Sequence, residues 1–243
     1  HIEKMLPSWL KPLSKERRLL SGRDKVVTVR KPYGSVLVIA PWNYPLQLAL
    51  MPAIGALAGG NGVVLKPSES APATSQLLQQ LVPAYFPKKV FHVVTGDRDV
   101  GEKLTSLQWD FIFFIWIPET GQKVYEAAAR HLTPVLLELG GKNPCIIEQS
   151  GLSKTAIKKI IWGKFLNAGQ SCIAPDTVYV PREQLEMVLE MMKEQIIAFY
   201  GKKPQRSESY GRIVHRDHYD KIMTFMADGR TYYGGDASAD DYY

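Results

Sequence analysis

The sequence predicts an α/β protein with a doubly wound, mostly parallel open sheet, followed by part of a second α/β domain. Short apolar runs bounded by glycine, proline or polar residues recur along the first half of the chain. Segments with helical periodicity separate these runs, and each repeat has about the size of a βαβ unit. A chain of 243 residues with 45% hydrophobic content can also bury a core for one large or two modest domains.

Five of the apolar runs are predicted to be buried strands, because the strands of a parallel sheet are covered on both faces. They span residues 35–40, 62–66, 90–94, 110–114 and 134–138. Helices are predicted between them at residues 46–58, 72–85 and 120–131. Such units wind right-handed into an open sheet that binds ligands at the carboxyl ends of its strands.

A second region begins at Gly141. It contains a predicted strand at residues 144–148 and predicted amphipathic helices at residues 154–167, 182–199 and 217–226. We therefore divide the chain into a basic segment (1–30), a first domain (31–140) and a second domain (141–243). The second domain lacks a closing element, and we expect it to be partial.

Charge and cysteine content exclude several classes of protein. The net charge is +6, but residues 1–30 hold eight Lys or Arg against three acidic residues, so the remaining chain is nearly neutral. That distribution is typical of a solvated surface, and we expect no nucleic-acid binding. The two cysteines and five histidines show no spacing typical of a disulfide framework or a metal site. No signal peptide or bilayer-length apolar run is present, so we expect a cytoplasmic protein without a metal.

Four motifs in a fixed order carry the functional signal, whereas the usual G-x-G-x-x-G pattern does not follow the first predicted strand. In chain order they are Ala40-Pro41-Trp42-Asn43-Tyr44-Pro45, Lys66-Pro67-Ser68-Glu69, Leu137-Glu138-Leu139-Gly140-Gly141-Lys142 and Gly169-Gln170-Ser171-Cys172-Ile173-Ala174-Pro175-Asp176. In this order the motifs resemble the aldehyde dehydrogenase superfamily. The first and last are similar to its class 3 branch, which includes fatty, aromatic and coniferyl aldehyde dehydrogenases. The resemblance extends over nearly the whole chain.

The resemblance implies that an aldehyde is oxidised to a carboxylic acid with NAD(P)+ through a cysteine thiohemiacetal and a thioester. Cys172 would be the nucleophile, and Asn43 and the Cys172 backbone N–H would bind the oxyanion. Glu138 would activate the water that hydrolyses the thioester. Simpler interpretations stay open: an inert buried cysteine, as we expect for Cys145, a turn-forming role for Asn43, and an exposed strand end for Glu138.

The resemblance also implies that residues 31–140 form a Rossmann-like NAD(P)-binding domain and that residues 141–243 form part of the catalytic domain. The predicted cofactor-binding residues are Ile39, Ala40, Pro41, Trp42, Lys66, Glu69, Gly96, Gly121, Leu139 and Gly140. Glu69 would accept a hydrogen bond from a free ribose 2′-hydroxyl and repel a 2′-phosphate, which favours NAD. The adjacent Lys66 leaves NADP open, and a surface ion pair between the two is the alternative.

The segment Ile115-Trp116-Ile117 departs from the family, which usually has Thr-Gly-Ser here. Small residues at this place let the backbone and the cofactor approach closely, so we expect Trp116 to impair or rearrange cofactor binding. The run 111–117 would then be either a buried strand extension or an aggregation-prone segment. Two other functions therefore stay open. One is a catalytically impaired relative that acts as a binding protein, and the other is a CoA-acylating enzyme, which Glu138 disfavours.

Relatives of this kind extend beyond both ends of the chain. We therefore expect residues 1–30 to lead from a further N-terminal region, and a dimer-forming strand to follow residue 243. From the resemblance we expect a homodimer and a small apolar or aromatic aldehyde as substrate. Membrane attachment stays open, because some class 3 relatives carry an apolar C-terminal tail.

Overall fold

The computed structural model describes residues 2–14 and 26–243 and divides into two units, His1–Leu139 and Gly140–Tyr243. At the start of the first unit, helix α1 spans Ile2–Trp9, and the short strands β1 (Leu13–Ser14) and β2 (Val27–Thr28) pair antiparallel. The sequence analysis predicted none of these three elements. The remainder of the predicted basic segment, residues 1 and 15–25, lies outside the described residues.

A parallel sheet forms the centre of the first unit. Its strands are β3 (Ser35–Ile39), β4 (Gly62–Lys66), β5 (Phe91–Val93), β6 (Phe111–Trp116) and β7 (Val135–Leu139). They lie in the order β5-β4-β3-β6-β7, and every neighbouring pair is parallel. The chain starts at the centre and winds outward first to one edge and then to the other, which is doubly wound topology. The predicted α/β fold class is therefore confirmed.

Helices α2 (Gln47–Ala58), α3 (Pro72–Tyr85), α4 (Arg98–Ser106) and α5 (Pro118–Ala129) connect these strands. The sequence analysis missed α4, in which four of nine residues are charged. This helix begins at a strong cap, since the Asp97 carboxylate accepts hydrogen bonds from the backbone N–H groups of Asp99 and Val100. Helix α5 begins two residues earlier than predicted, because Pro118 is well suited to a first helical position.

Both faces of the sheet are covered, because successive residues of a strand point to opposite sides. Val36 and Val38 of β3 belong to one buried cluster, which also contains residues of α2 and α3. Leu37 and Ile39 belong to a second cluster, which contains residues of α5. Burial of each such side chain stabilises the fold by about 1.5–3 kcal/mol. The sheet is thus a rigid support for the loops at its carboxyl edge.

The second unit pairs β8 (Asn143–Ile146) in parallel with β9 (Pro175–Tyr179) and adds α6 (Lys154–Phe165), α7 (Leu185–Tyr200) and α8 (Arg216–Phe225). Its core is formed by Ile147, Ile157, Ile161 and Val188. Residues 182–184, predicted as the start of α7, form a separate 3-10 turn. Within residues 2–14 and 26–243, no helix is both long enough and apolar enough to span a bilayer.

Candidate active site

The first motif lies at the carboxyl end of β3 and leads into α2. Ala40 continues the ladder by donating its backbone N–H to the Lys66 carbonyl at 3.0 Å. Beyond it, the Asn43 side-chain oxygen accepts a hydrogen bond from the Tyr44 backbone N–H at 3.1 Å. Asn43 therefore helps to order this turn, which is the simpler of its two predicted roles. Its oxyanion-binding role stays a prediction.

Lys66 and Glu69 form an ion pair at the carboxyl end of β4. The Lys66 Nζ lies 2.7 Å from Glu69 Oε2, and the two side chains are 5% and 45% exposed. Helix α4 packs over the lysine, because a Cβ on Gly101 would lie only 3.6 Å from Lys66 Cε. The Lys66 ammonium group is thus buried, whereas the Glu69 carboxylate that it holds is partly exposed to solvent. The pair is therefore not an ordinary surface ion pair.

A cleft of about 310 Å³ lies beside this ion pair. Its lining comprises Pro67, Glu69, Pro72, Ser75, Gln76, Gln79, Thr95 and Gly96. Gly96 has a φ of +154°, and a Cβ there would lie 2.5 Å from Val100 Cγ2, so glycine is required where β5 turns into α4. The volume is at the small end for ligand sites, and the mixture of prolines with carboxylate, amide and hydroxyl groups suits a base and a ribose. Two predicted cofactor residues, Glu69 and Gly96, meet in this cleft.

Trp116 lies at the end of β6, and three further predicted residues lie in the elements that follow it. They are Gly121 in α5 and Glu138 and Leu139 in β7. A Cβ on Gly121 would lie 2.7 Å from Leu139 Cδ2, so this glycine lets α5 pack closely on β7. Glu138 is exposed and pairs in register with Ile115, and the next pair is Trp116 with Leu139. Trp116 therefore extends β6 and packs against the second core cluster. Contact of Gly121 and Leu139 with a cofactor stays a prediction.

Cys172 belongs to the second unit and follows an unusual turn. After α6 ends, Asn167, Ala168 and Gly169 have φ values of 53°, 53° and 80°, all in the left-handed region. Cys172 itself is half-buried and forms no disulfide, whereas the following Ile173 is 81% exposed. Cys145, predicted to be inert, is half-buried within β8 and pairs in register with Val178.

Glycine lets the loop of Cys172 approach the start of β8. A Cβ on Gly141 would lie 2.8 Å from the Cys172 carbonyl oxygen, a distance that real side chains do not adopt. Gly140, predicted as a cofactor residue, has no neighbouring atom within 4 Å of such a Cβ. The structure therefore assigns a packing role to the second glycine of this pair and leaves the role of the first as a prediction.

Asp176 is a residue whose role the sequence analysis missed, although it belongs to the last motif. Its Oδ2 lies 2.6 Å from Lys142 Nζ, and its Oδ1 lies 3.8 Å from Lys164 Nζ. The hydrogen bond from Lys142 lowers the pKa of Asp176, against the opposing effect of burial. The local sequence gives little signal, because Asp176 lies between Pro175 and Thr177 and its partners Lys164 and Lys142 lie 12 and 34 residues earlier in the chain.

Among the described residues, no cluster of three His, Cys, Asp or Glu side chains has the geometry to hold a metal ion. A doubly wound sheet with a cleft beside its carboxyl edge, together with a thiol on a tightly turned loop, defines an α/β protein with a candidate thiol centre. The aldehyde dehydrogenase family model matches residues 4–240, and the chain belongs to that family. This confirms the family that the four motifs indicated.

Known proteins of the family resemble the chain over nearly its whole length. A 4,4'-diapolycopene-4,4'-dial dehydrogenase from Cytobacillus firmus is 49% identical over 242 residues, which are 99% of this chain and 53% of that protein. The structure of the Staphylococcus aureus AldH in a substrate-bound state has a TM-score of 0.92 at 35% identity, and the match covers 100% of this chain and 53% of that one. For a Pseudomonas syringae aldehyde dehydrogenase C mutant complexed with NAD+ and octanal, the TM-score is 0.74 at 31% identity, with 83% and 43% covered. The chain spans about half the length of the curated relatives it matches.

Proposed function

We propose that this chain carries the thiol centre of an NAD(P)-dependent aldehyde dehydrogenase, which oxidises an apolar or aromatic aldehyde to a carboxylic acid. The observation that carries the proposal is Cys172, a free and half-buried cysteine on a loop fixed by a left-handed turn. A thiol held in this way, in a member of this family, suits nucleophilic attack on a carbonyl carbon.

In the proposed reaction, the Cys172 thiolate attacks the aldehyde carbon, and a carbon–sulfur bond forms while negative charge develops on the carbonyl oxygen. The Asn43 amide and the Cys172 backbone N–H donate hydrogen bonds to this oxygen, and each such donor stabilises the transition state by roughly 3–4 kcal/mol. A bound nicotinamide cofactor would supply the hydride acceptor, so that the C–H bond of the thiohemiacetal breaks and a thioester remains on Cys172. The Glu138 carboxylate then takes a proton from the attacking water, and the acid and the thiol are released.

The residues of the first unit suit the adenosine half of such a cofactor. Glu69 has an open carboxylate oxygen that can accept from a ribose hydroxyl, and Lys66 fixes its position. The carboxyl end of β3 provides four further predicted residues, namely Ile39 and the following Ala40, Pro41 and Trp42. A carboxylate repels a 2′-phosphate, which favours NAD over NADP. The family member from Pseudomonas syringae that was solved with NAD+ supports a nicotinamide cofactor, and the preference for NAD over NADP rests on Glu69 alone.

An apolar aldehyde is the proposed substrate. Tyr44 and Leu46 follow Asn43, and Leu46 is exposed, as is Ile173 beside Cys172. Two relatives point the same way, since one is named for a polyene dial and the other was solved with octanal. A homodimer remains a prediction from the resemblance, and a cytoplasmic location remains a prediction from the sequence.

Formation of NADH on mixing the purified chain with NAD+ and octanal tests the proposal. We expect an initial burst, its complete loss in Cys172→Ala, and its retention in Cys145→Ala, which removes a cysteine from the same unit. Glu138→Gln should leave the burst and slow the later turnover, because water is no longer activated. A parent chain that binds NAD+ but gives no burst would refute the proposal. Faster turnover on addition of CoA would instead identify an acyl-CoA-forming relative.

A second candidate is a relative that binds a nucleotide without turning over an aldehyde. It is favoured by one observation, the position of Trp116 at the end of β6, where it pairs with Leu139. We expect a large aromatic side chain there to leave less room for a cofactor than the small residue that the family usually has. Binding of AMP without binding of NAD+ would support this candidate.

A further inference from the structure

We propose that two side-chain amides, those of Gln170 and Asn143, hold the Cys172 loop from opposite ends and act as positioning residues for the Cys172 thiol and backbone N–H. The inference deepens the proposed function and rests on it. All the contacts involved lie within the second unit.

The upstream contact is made by Gln170, two residues before the cysteine. Its Nε2 donates to the carbonyls of Asn167 at 3.0 Å and Arg212 at 2.9 Å, while its Oε1 accepts from the Val214 N–H at 3.0 Å. One amide therefore pairs with a carbonyl and an N–H of the same segment, as a neighbouring strand would. This ties the loop to a segment more than 40 residues later in the chain.

That later segment is itself fixed against the left-handed turn. A Cβ on Gly211 would lie 3.3 Å from the Ala168 backbone nitrogen, so the segment packs directly on the turn. The Arg212 guanidinium donates to the carbonyls of Gln205, Tyr210 and Gly211 and lies 5.6 Å from the centre of the Tyr243 ring. Gln170 is thus bonded to an anchored backbone.

The downstream contact is made by Asn143, the first residue of β8. Its Nδ2 donates to the carbonyls of Cys172 at 2.7 Å and Ala174 at 3.0 Å. Asn143 pairs in register with Pro175, which has no N–H to offer to the ladder. The side-chain amide therefore supplies hydrogen bonds at the point where the backbone pairing of β8 and β9 begins.

Only Ser171 lies between Gln170, which is held upstream, and Cys172, whose carbonyl is held downstream. Rotation of the Cys172 backbone is therefore restricted on both sides. This restriction fixes the directions in which its N–H and its Cα–Cβ bond point. Oxyanion donors act only when they are placed to within a few tenths of an ångström. A misplacement of about 1 Å can lower a rate roughly 100-fold.

The test compares Gln170→Met and Asn143→Leu with the matched control Gln184→Met. The Gln184 amide also donates to a backbone carbonyl of the second unit, that of Gln149 at 3.1 Å. Acylation is measured with 4-nitrophenyl acetate: the thiolate attacks the ester carbon, the sulfur–carbon bond forms, the carbon–oxygen bond breaks, nitrophenolate leaves and the thiol proton passes to solvent. This reaction forms an oxyanion and needs no cofactor. Alkylation of Cys172 with iodoacetamide, which displaces iodide without forming an oxyanion, is the reference.

We expect both variants to lower the acylation rate by about 10- to 100-fold while the alkylation rate of Cys172 stays within about threefold of the parent rate. Amide hydrogen exchange should rise in residues 167–174 and 211–214 of Gln170→Met, but not in Gln184→Met. The proposal is overturned by full acylation rates in both variants, by equal losses of acylation and alkylation, or by an equal loss in the control. A parent chain that the ester acylates but that forms no NADH with octanal refutes the dehydrogenase and not the positioning role. A parent chain that the ester does not acylate refutes both.

Discussion

The turn before Cys172 places three consecutive residues in left-handed backbone, and they differ in how well they tolerate it. Asn167 and Gly169 are of the residue types that commonly adopt positive φ, whereas the Cβ of Ala168 makes it unfavourable by about 1–2 kcal/mol. The surrounding contacts, including those of Gln170, therefore maintain a backbone that the local sequence alone would not choose. Such strain next to a candidate nucleophile is consistent with a functional turn.

Substitution of Gly169 by alanine should destabilise the protein by more than about 1 kcal/mol. The residue has a φ of 80°, and its new Cβ would lie 3.1 Å from the Lys164 carbonyl oxygen. Ala168→Gly should stabilise slightly, because relief of strain exceeds the added entropy of the unfolded chain. Urea unfolding followed by circular dichroism measures both changes. Gly151→Ala is the control, since no atom lies within 4 Å of its Cβ. A neutral Gly169→Ala would contradict the left-handed backbone.

Among the elements, β9 is joined to the start of β8 and to α6 through the carboxylate of Asp176. Because the hydrogen bond from Lys142 lowers the pKa of Asp176 in the folded protein, the unfolded chain binds this proton more tightly. The resulting stability is fully present above the ordinary aspartate pKa of 3.8 and is lost as the pH falls through the lower, folded value.

Asp176→Asn should therefore lower the Tm at neutral pH and reduce the loss of stability on acidification below the ordinary aspartate pKa. Because the lysine side chains are exposed, we expect a contribution of about 1 kcal/mol or less. Thermal unfolding across that pH range measures the effect. Lys142→Met should give a similar loss, and combining it with Asp176→Asn should add little. An Asp176→Asn variant with the acid sensitivity of the parent would show that the ion pair does not contribute.

The elements that could be predicted from the sequence are those whose burial is visible in it. Strands β3 and β4 are continuous apolar runs, and they are found within one residue of their predicted bounds. Helix α4 was missed because its cap at Asp97 and not an apolar stripe defines it. Strand β9 was missed because none of its residues is buried, so no continuous apolar run marks it. Strand β6 continues to Trp116 because it pairs with β7, and pairing is a tertiary property.

The candidate site was predictable to the same degree. The motifs identified Cys172 and the pair Lys66 and Glu69, and the structure brings the latter two into contact. Nothing in the local sequence indicated that Gln170 bonds to residues 212 and 214, because those partners are more than 40 residues away. Hydrogen bonds of this kind depend on how distant segments pack, and periodicity and spacing carry no information on them.

At the scale of the whole chain, the residues with proposed roles occur in both units. Asn43, Glu138 and the cleft beside Glu69 belong to the first unit, and Cys172 and the amides that hold it belong to the second. Whether the chain acts as an enzyme or as a binding relative depends on whether it binds the cofactor. Cofactor binding in turn depends on the segment between β6 and α5. Ile117 precedes α5 without a side-chain cap, Pro118 has no N–H, and Glu119 adds negative charge to the first turn. The last two features weaken anion binding at this helix N-terminus.

Replacement of this segment by the family's usual residues should therefore strengthen binding of a complete dinucleotide. We expect the triple variant Ile115→Thr, Trp116→Gly and Ile117→Ser to bind NAD+ at least about tenfold more tightly than the parent, a gain of about 1.4 kcal/mol. The serine also supplies a capping oxygen for α5. AMP, which lacks the nicotinamide half, should bind the cleft beside Glu69 equally in both proteins, and calorimetric titration measures both ligands. Equal AMP affinity also shows that loss of Trp116 from the core has not unfolded the first unit. If AMP affinity is preserved and NAD+ affinity does not rise, Trp116 does not obstruct the cofactor. The position of Trp116 then no longer favours a non-catalytic relative.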